Sequence, residues 1–377
     1  MKFDQDLNKL SDRSKMEISH KLSKDDFMNN YSGNYKVDDG LNRNRLEEIL
    51  SNLDNVTITV IGDGTIDIYW DADMTQSRLS RETPHFPLPV VKERISLGGA
   101  ANVANNLIAL GVKEVQILTI IGKDWRGREF KSLLNKKGIG IDYLIEDEDR
   151  ITPAYCKPIK YGLSEVSYEN PRIDFENQVG ISSSLEMKVI QKIDQIVKGR
   201  SSIAVADQLK NGIITEKVRK KIIKSEKKGF VIVDSRNNIH KFSNVILKPN
   251  HLEALNAVNL DQDVAKTGLG DWIKAGMKLS SVTRSPVLMT IGEQGAFWID
   301  NKFKTVIKVP SVPAKGEIDF VGAGDSFMSA FIATRAAGAK PGEAINIANL
   351  AAAVTVKKLR MTGTATREDI IKKYEEI

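Results

Sequence analysis

Asp319-Phe320-Val321-Gly322-Ala323-Gly324-Asp325-Ser326 opens onto an apolar helical run from Phe327 to Ala337. Gly322, Ala323 and Gly324 carry little or no side chain, so their backbone N–H groups can crowd against an anion. A helix starting there adds free donors and the positive end of its dipole. Asp325 then stands at the mouth of an anion hole, placed to take a proton. The same residues also suit a small-residue helix start with Asp325 as a simple cap. A second stretch, Ser96-Leu97-Gly98-Gly99-Ala100-Ala101-Asn102-Val103-Ala104-Asn105-Asn106, puts two glycines at a helix start and asparagines on its first turns. Small residues there let a ligand approach the backbone, and Asn102 offers a donor and an acceptor suited to sugar hydroxyls. Close helix packing is the alternative reading of that stretch.

These turns need a scaffold, and the pattern supplies one. Val56-Thr57-Ile58-Thr59-Val60-Ile61 is an apolar, β-branched run ending at Gly62, the character of a buried central strand. Further strands are expected at 115–121, 203–206, 230–233, 245–247 and 287–291. Helices are expected near 99–110, 125–137, 185–198, 215–228, 270–280, 325–337, 341–358 and 366–375. This alternation predicts an α/β fold with a mainly parallel central sheet covered by helices on both faces. Residues 66–94 and 152–176 break the rhythm with β-rich, non-helical pattern, and they are expected to form a small accessory sheet that closes over a ligand. Residues 1–45 are polar and charge-rich and read as an N-terminal extension; residues 46–377 read as one domain.

Composition narrows the function classes. Of 377 residues 41% are hydrophobic and 28% charged, and no stretch of about 18 apolar residues suggests a membrane span. The first residues alternate charges and lack the apolar core of a secretory signal, so the cytoplasm is the expected compartment. Cys156 is the only cysteine and there are four histidines, which argues against an internal disulfide or a structural zinc site. The net charge of +6 reads as a lysine-rich solvated surface, because basic runs such as Lys217–Lys221 lack interleaved aromatics. No nucleic-acid or membrane partner is expected.

Taken together, the glycine pair with its following asparagine and the Asp-x-x-Gly-Ala-Gly-Asp turn resemble the two signatures of the ribokinase-like PfkB carbohydrate kinases. Between them, Asn250-His251-Leu252-Glu253 resembles that family's Asn-x-x-Glu motif, and Thr290-Ile291-Gly292-Glu293-Gln294-Gly295 resembles its nucleotide loop. The resemblance covers about residues 56–365 and implies an ATP-dependent sugar kinase. It implies that Asp325 is the base and that Gly322 to Gly324 hold the transferring phosphoryl group. Asn250 and Glu253 would then organise Mg²⁺ through water, with Thr290, Gly292 and Gly295 near the nucleotide and Asn349 in the adenine pocket. Phosphoryl transfer needs alignment and charge neutralisation, which suits these parts. Phe320 departs from the small or β-branched residue usual after that aspartate. The family also implies a homodimer formed through the lid.

Within the family, Gly62-Asp63 with Asp67, Tyr69 and Trp70 resembles the opening of bacterial heptose-7-phosphate kinases. Arg78-Leu79-Ser80-Arg81-Glu82-Thr83-Pro84 and Arg172-Ile173-Asp174-Phe175-Glu176 resemble two further segments of that group. The implied acceptor is O1 of a heptose 7-phosphate, with Asp63 and Asp67 reading hydroxyls and Arg172, Lys210 and Arg236 as candidates for the distal phosphate. The segments at Phe86-Pro87-Leu88 and 206–210 depart from the group, and many heptose enzymes add a nucleotidyltransferase domain that these 377 residues do not include. Another acceptor, such as fructose phosphate or ribose, stays open, as does a non-catalytic sugar-binding role.

Overall fold

A computed structural model describes residues 35–38, 40–162, 167–199, 201–225, 229–260, 267–314, 316–359 and 362–377. Most of the expected N-terminal extension lies outside the described residues. Its end belongs to the core instead. Helix α1, Arg43–Ser51, is capped by the Asn42 side chain and buries Leu46, Ile49 and Leu50. Those three lie on one face at helical spacing, which is why a mostly polar segment still packs. The folded unit is Val37–Ile377.

The alternating strands form the expected sheet. In chain order its members within this unit are β1 (Thr57–Gly62), β4 (Glu114–Leu118), β8 (Ser202–Asp207), β9 (Val231–Ser235), β10 (Ile246–Leu247), β11 (Val287–Thr290), β12 (Ala296–Asp300) and β13 (Thr305–Val309). Spatially they run β13-β12-β11-β10-β9-β8-β1-β4. All neighbours from β11 to β4 are parallel, and the hairpin β12–β13 adds antiparallel strands at one side. The hairpin is not among the expected elements, and its turn Asn301–Lys304 separates two short, largely apolar runs.

A second sheet is made from the two irregular stretches. It comprises β2 (Gly64–Asp73), β3 (Val90–Gly99), β5 (Ala154–Tyr161), β6 (Tyr168–Glu169) and β7 (Ile173–Phe175), in the order β7-β5-β2-β3 with β6 on β5. Residues 77–89 cross between β2 and β3 without regular structure.

The helices that matter most are α2 (Ala100–Ala109), α3 (His251–Ala257), α4 (Ala323–Ala336) and α5 (Pro341–Thr355). In α4 every residue from Ser326 to Thr334 is buried. A helix enclosed on all sides is a rigid mount.

Candidate active site

The glycine pair makes a sharp junction between the small sheet and the helical layer. β3 ends at Gly99, whose φ of +54° turns the chain directly into α2. A Cβ there would strike the Asp63 carbonyl oxygen, the atom that accepts the Ala100 N–H at 2.9 Å. Only glycine tolerates both demands.

Strand alternation then builds one wall of a cavity of about 400 Å³. Thr65, Asp67 and Tyr69 alternate along β2, and Tyr155, Lys157 and Ile159 alternate along β5. The parallel register sets Asp67 opposite Tyr155 and Tyr69 opposite Lys157, so all six share a face, and all six line the cavity. Lys157, which sequence reasoning overlooked, is 7% exposed; its Nζ donates to the Tyr69 hydroxyl at 3.0 Å and lies 3.5 Å from Asp67 Oδ2. Burial pushes the Asp67 carboxyl up, and Lys157 opposes that. The Thr65 hydroxyl is buried without a partner among the described residues.

Asp325 faces this wall from the first turn of α4. Gly322, at φ +79°, caps the helix in the left-handed region. The Ala323 N–H returns to the Phe320 carbonyl at 3.2 Å and the Ser326 N–H to the Gly322 carbonyl at 2.9 Å. The amides of Gly324 and Asp325 have no acceptor among the described residues, which leaves the helix start open to an anion. Burial pushes the Asp325 carboxyl up to about 6. A hydrogen bond from Asn102 opposes the shift, Asp234 adds to it, Lys248 opposes it, and Asp67 adds a little more. A carboxylate titrating there is a serviceable base near neutral pH.

Not every expected residue reaches the cavity. Asn102 was expected to read sugar hydroxyls, but it is fully buried and its Nδ2 donates to Asp325 Oδ2 at 2.7 Å. Asp63 was expected to do the same, yet its carboxylate accepts the backbone N–H groups of Gln208, Leu209 and Ile213 at 2.9, 2.8 and 2.9 Å. It ties down the 208–213 loop, and burial pushes its carboxyl up to about 6. Lys210 is exposed and does not line the cavity. Arg172 and Arg236 do line it, together with Gln208 and Glu169. Arg172 holds Asp174 through two bonds of 2.6 and 2.7 Å and lies over the Tyr155 ring at 4.2 Å. Gly98 fits because a Cβ would press on the Thr65 hydroxyl.

The remaining expected residues lie along the side of the sheet that runs from β10 to β13. Asn250 and Glu253 form a capping box at the start of α3: each side chain accepts the other's backbone N–H at 2.8 Å. Asn250 also bridges to Thr290. Gly292 and Gly295, at φ +59° and +98°, make the turn between β11 and β12. Asn349 on α5 donates to the Pro310 carbonyl at 2.7 Å. Between this group and the cavity lies a buried pair that sequence reasoning missed, Lys248 Nζ at 2.6 Å from Asp234 Oδ2. The Lys248 ammonium is held up by Asp234, Glu253 and Asp325 against desolvation, so its charge is felt on both sides.

Among the described residues no cluster of three or more His, Cys, Asp or Glu could hold a metal directly. Glu253 Oε1 nevertheless keeps no hydrogen-bond partner there, since only Oε2 serves the capping box. That donor set fits a hydrated magnesium ion, which binds through few carboxylates and keeps its waters. No described helix is long and apolar enough to cross a membrane.

Residues 64–367 match the profile described as pfkB family carbohydrate kinase. The chain belongs to this family. It is 32% identical over 324 residues to the bifunctional protein HldE of a Nitratiruptor species, and 31% identical over 333 residues to that of Geotalea uraniireducens. Those matches cover 84% and 86% of this chain and 64% of each relative, so the chain spans under two-thirds of their length. Among solved structures, Escherichia coli phosphofructokinase-2 in complex with fructose-6-phosphate matches with a TM-score of 0.67 at 20% identity, covering 85% of this chain and 99% of that one. Arabidopsis thaliana ribokinase complexed with ribose and ATP matches with a TM-score of 0.62 at 18% identity, covering 84% and 98%. These two likenesses establish the ribokinase-like fold of this pfkB chain.

Proposed function

We infer that this pfkB protein transfers the γ-phosphoryl group of ATP to a sugar hydroxyl, with O1 of a heptose 7-phosphate as the acceptor. The observation that carries the reading is Asp325: a carboxyl raised to about 6, on the first turn of α4, beside two amides without acceptors, facing Asp67 across the cavity. Asp325 takes the proton of the attacking hydroxyl. The Gly324 and Asp325 amides and the α4 dipole stabilise negative charge on the transferring group. Asn250 and Glu253 would hold a hydrated magnesium ion, which would supply charge neutralisation for the nucleotide phosphates. Lys248 keeps a positive charge between that group and Asp325.

The polar wall suits a polyol. Asp67 accepts, Lys157 donates, and the unpartnered Thr65 hydroxyl can do either. Arg172 and Arg236 at the cavity edge suit a terminal phosphate of the acceptor, and the HldE relatives support a heptose phosphate. The small sheet acts as a lid that excludes water during transfer. Its outer strand leaves Val90 and Val91 exposed, which suits pairing with a second copy.

The test is ADP release with D-glycero-β-D-manno-heptose 7-phosphate, fructose phosphate and ribose as acceptors, with the product identified by ³¹P NMR. A new anomeric phosphate on the heptose is expected. Turnover confined to fructose phosphate or ribose would redirect the substrate, and no turnover with any sugar would favour a binding role.

A further inference from the structure

Gln208 is the first residue beyond β8 and Arg236 the first beyond β9, and both line the cavity. The parallel register pairs Ala206 with Asp234 and Asp207 with Ser235, so the next step sets Gln208 beside Arg236. Carboxyl ends of neighbouring parallel strands are where open α/β sheets take their ligands. The backbone N–H groups of the two residues are engaged, by Asp63 Oδ2 at 2.9 Å and by the Asp207 carbonyl at 3.1 Å. Their side chains make no hydrogen bond or ion pair among the described residues. Arg172 differs, since Asp174 already takes two of its donors. A free carboxamide and a free guanidinium side by side are a donor set for a phosphate.

Both side chains stand on fixed backbone. The Asp63 carboxylate gathers the amides of Gln208, Leu209 and Ile213, and a Cβ at Gly212 would lie 2.0 Å from Asp63 Oδ1. Further along the same loop, Arg150 Nη2 donates to the Asn211 carbonyl at 2.8 Å, and Asn211 Nδ2 donates to the Asn177 carbonyl at 2.9 Å. Beyond β9, Asp207 Oδ2 accepts from Ser235 Oγ at 2.6 Å and from Asn238 Nδ2 at 3.3 Å. A side chain on such a mount loses little freedom when it binds.

We propose that Gln208 is a specificity-determining residue for the acceptor: its amide N–H joins Arg236 on the acceptor's terminal phosphate, and Asp63 is the positioning residue that keeps it there. This inference rests on the reading of the cavity as the acceptor site. Gln208 belongs to the segment 206–210, which departs from the heptose-kinase group, and it takes the place expected of Lys210.

The experiment reads binding before turnover. Calorimetry without nucleotide measures D-glycero-β-D-manno-heptose 7-phosphate and fructose 6-phosphate on the wild type, Gln208→Leu, Asp63→Asn and the double variant. Gln208→Leu should weaken the tighter of the two about tenfold, as expected for one hydrogen bond to a charged group. In steady-state assays the loss should fall on the phosphosugar KM, with kcat within about twofold and the unphosphorylated sugar nearly unaffected. Asp63→Asn sets an NH₂ group against the loop amides. By hydrogen exchange the amides of Gln208, Leu209 and Ile213 should open at least about tenfold faster, while Ser326 to Thr334 keep their protection. The double variant should bind scarcely worse than Gln208→Leu alone, because both changes act through one side chain.

Unchanged phosphosugar affinity in Gln208→Leu would overturn the proposal, as would an equal loss on the unphosphorylated sugar or a wild type that binds neither phosphosugar. Additive losses in the double variant would overturn the positioning role of Asp63. If Gln208→Leu weakens phosphosugar binding while no sugar is turned over, the proposal stands and the kinase assignment falls. Should Asp63→Asn fail to fold, Gly212→Ala displaces the same carboxylate and carries the same comparison.

Discussion

The helix corner around Asp325 and the strand wall opposite it differ in how their residues are held. At the corner, Asn102, Ser329 and the whole stretch from Ser326 to Thr334 are enclosed, and the base is fixed by backbone turns at Gly99 and Gly322. On the small sheet, Asp67 and Lys157 are buried, but Tyr168 and Ile173 beside them are about half exposed, and Arg172 is held by its neighbours Asp174 and Tyr155. Packing density sets how little a group can move, so the corner is suited to chemistry and the sheet to adapting around a substrate. The division predicts that corner substitutions act on turnover and sheet substitutions on acceptor choice.

The largest effect is expected at the corner. Asp325→Asn keeps the shape but removes the base, and turnover should fall about 10²- to 10⁴-fold while ATP affinity, followed by calorimetry, stays near native. Near-native turnover would erase the distinction between the two regions. At the cavity edge, Arg172→Ala should lower kcat/KM for a phosphosugar by about tenfold to a hundredfold, because charge-assisted bonds contribute roughly 1.5–3 kcal/mol each. Its efficiency with the unphosphorylated sugar should hardly change, and equal losses on both would mean that Arg172 merely supports the sheet.

The acid limb sharpens the same contrast. Asp325 must be ionised to accept a proton, and its carboxyl is raised to about 6. The efficiency kcat/KM should be level above that pH and fall about tenfold per unit below it. A limb near pH 4 would mean that the corner is wetter than its packing implies. The smallest effect is expected away from both walls. Asn250→Ala removes one half of the α3 capping box and should lower unfolding stability by about 1 kcal/mol in denaturant titration. A loss of nucleotide affinity beyond that would tie Asn250 to the nucleotide phosphates as well.

The corner was the more legible of the two regions. Gly98-Gly99 and Gly322-Ala323-Gly324-Asp325 stand out because their backbone admits few residue types, and such limits are written locally in the chain. The parallel sheet was legible for the same kind of reason, since β-branched runs such as 56–61 have few other uses. What escaped depends on partners far apart in sequence. Lys157 meets Asp67 across strands 90 residues apart only through the register of β2 and β5. A carboxylate such as Asp63 looks identical in a sequence whether it faces a sugar or three loop amides. The Asn102 contact was hidden for the same reason: its partner is Asp325, 223 positions away. Lys210, which nothing local distinguishes from a site lysine, is on the surface.

Whether the acceptor already carries a phosphate is the central question for this kinase. The direct measurement is kcat/KM for D-glycero-β-D-manno-heptose 7-phosphate against the same heptose without its phosphate, on the wild-type protein at one ionic strength. The expected result is an advantage of at least about tenfold for the phosphosugar, since only its phosphate adds charge-assisted bonds to the basic groups at the cavity edge. Equal or better efficiency with the unphosphorylated heptose would contradict the assignment and point to a kinase of free sugars.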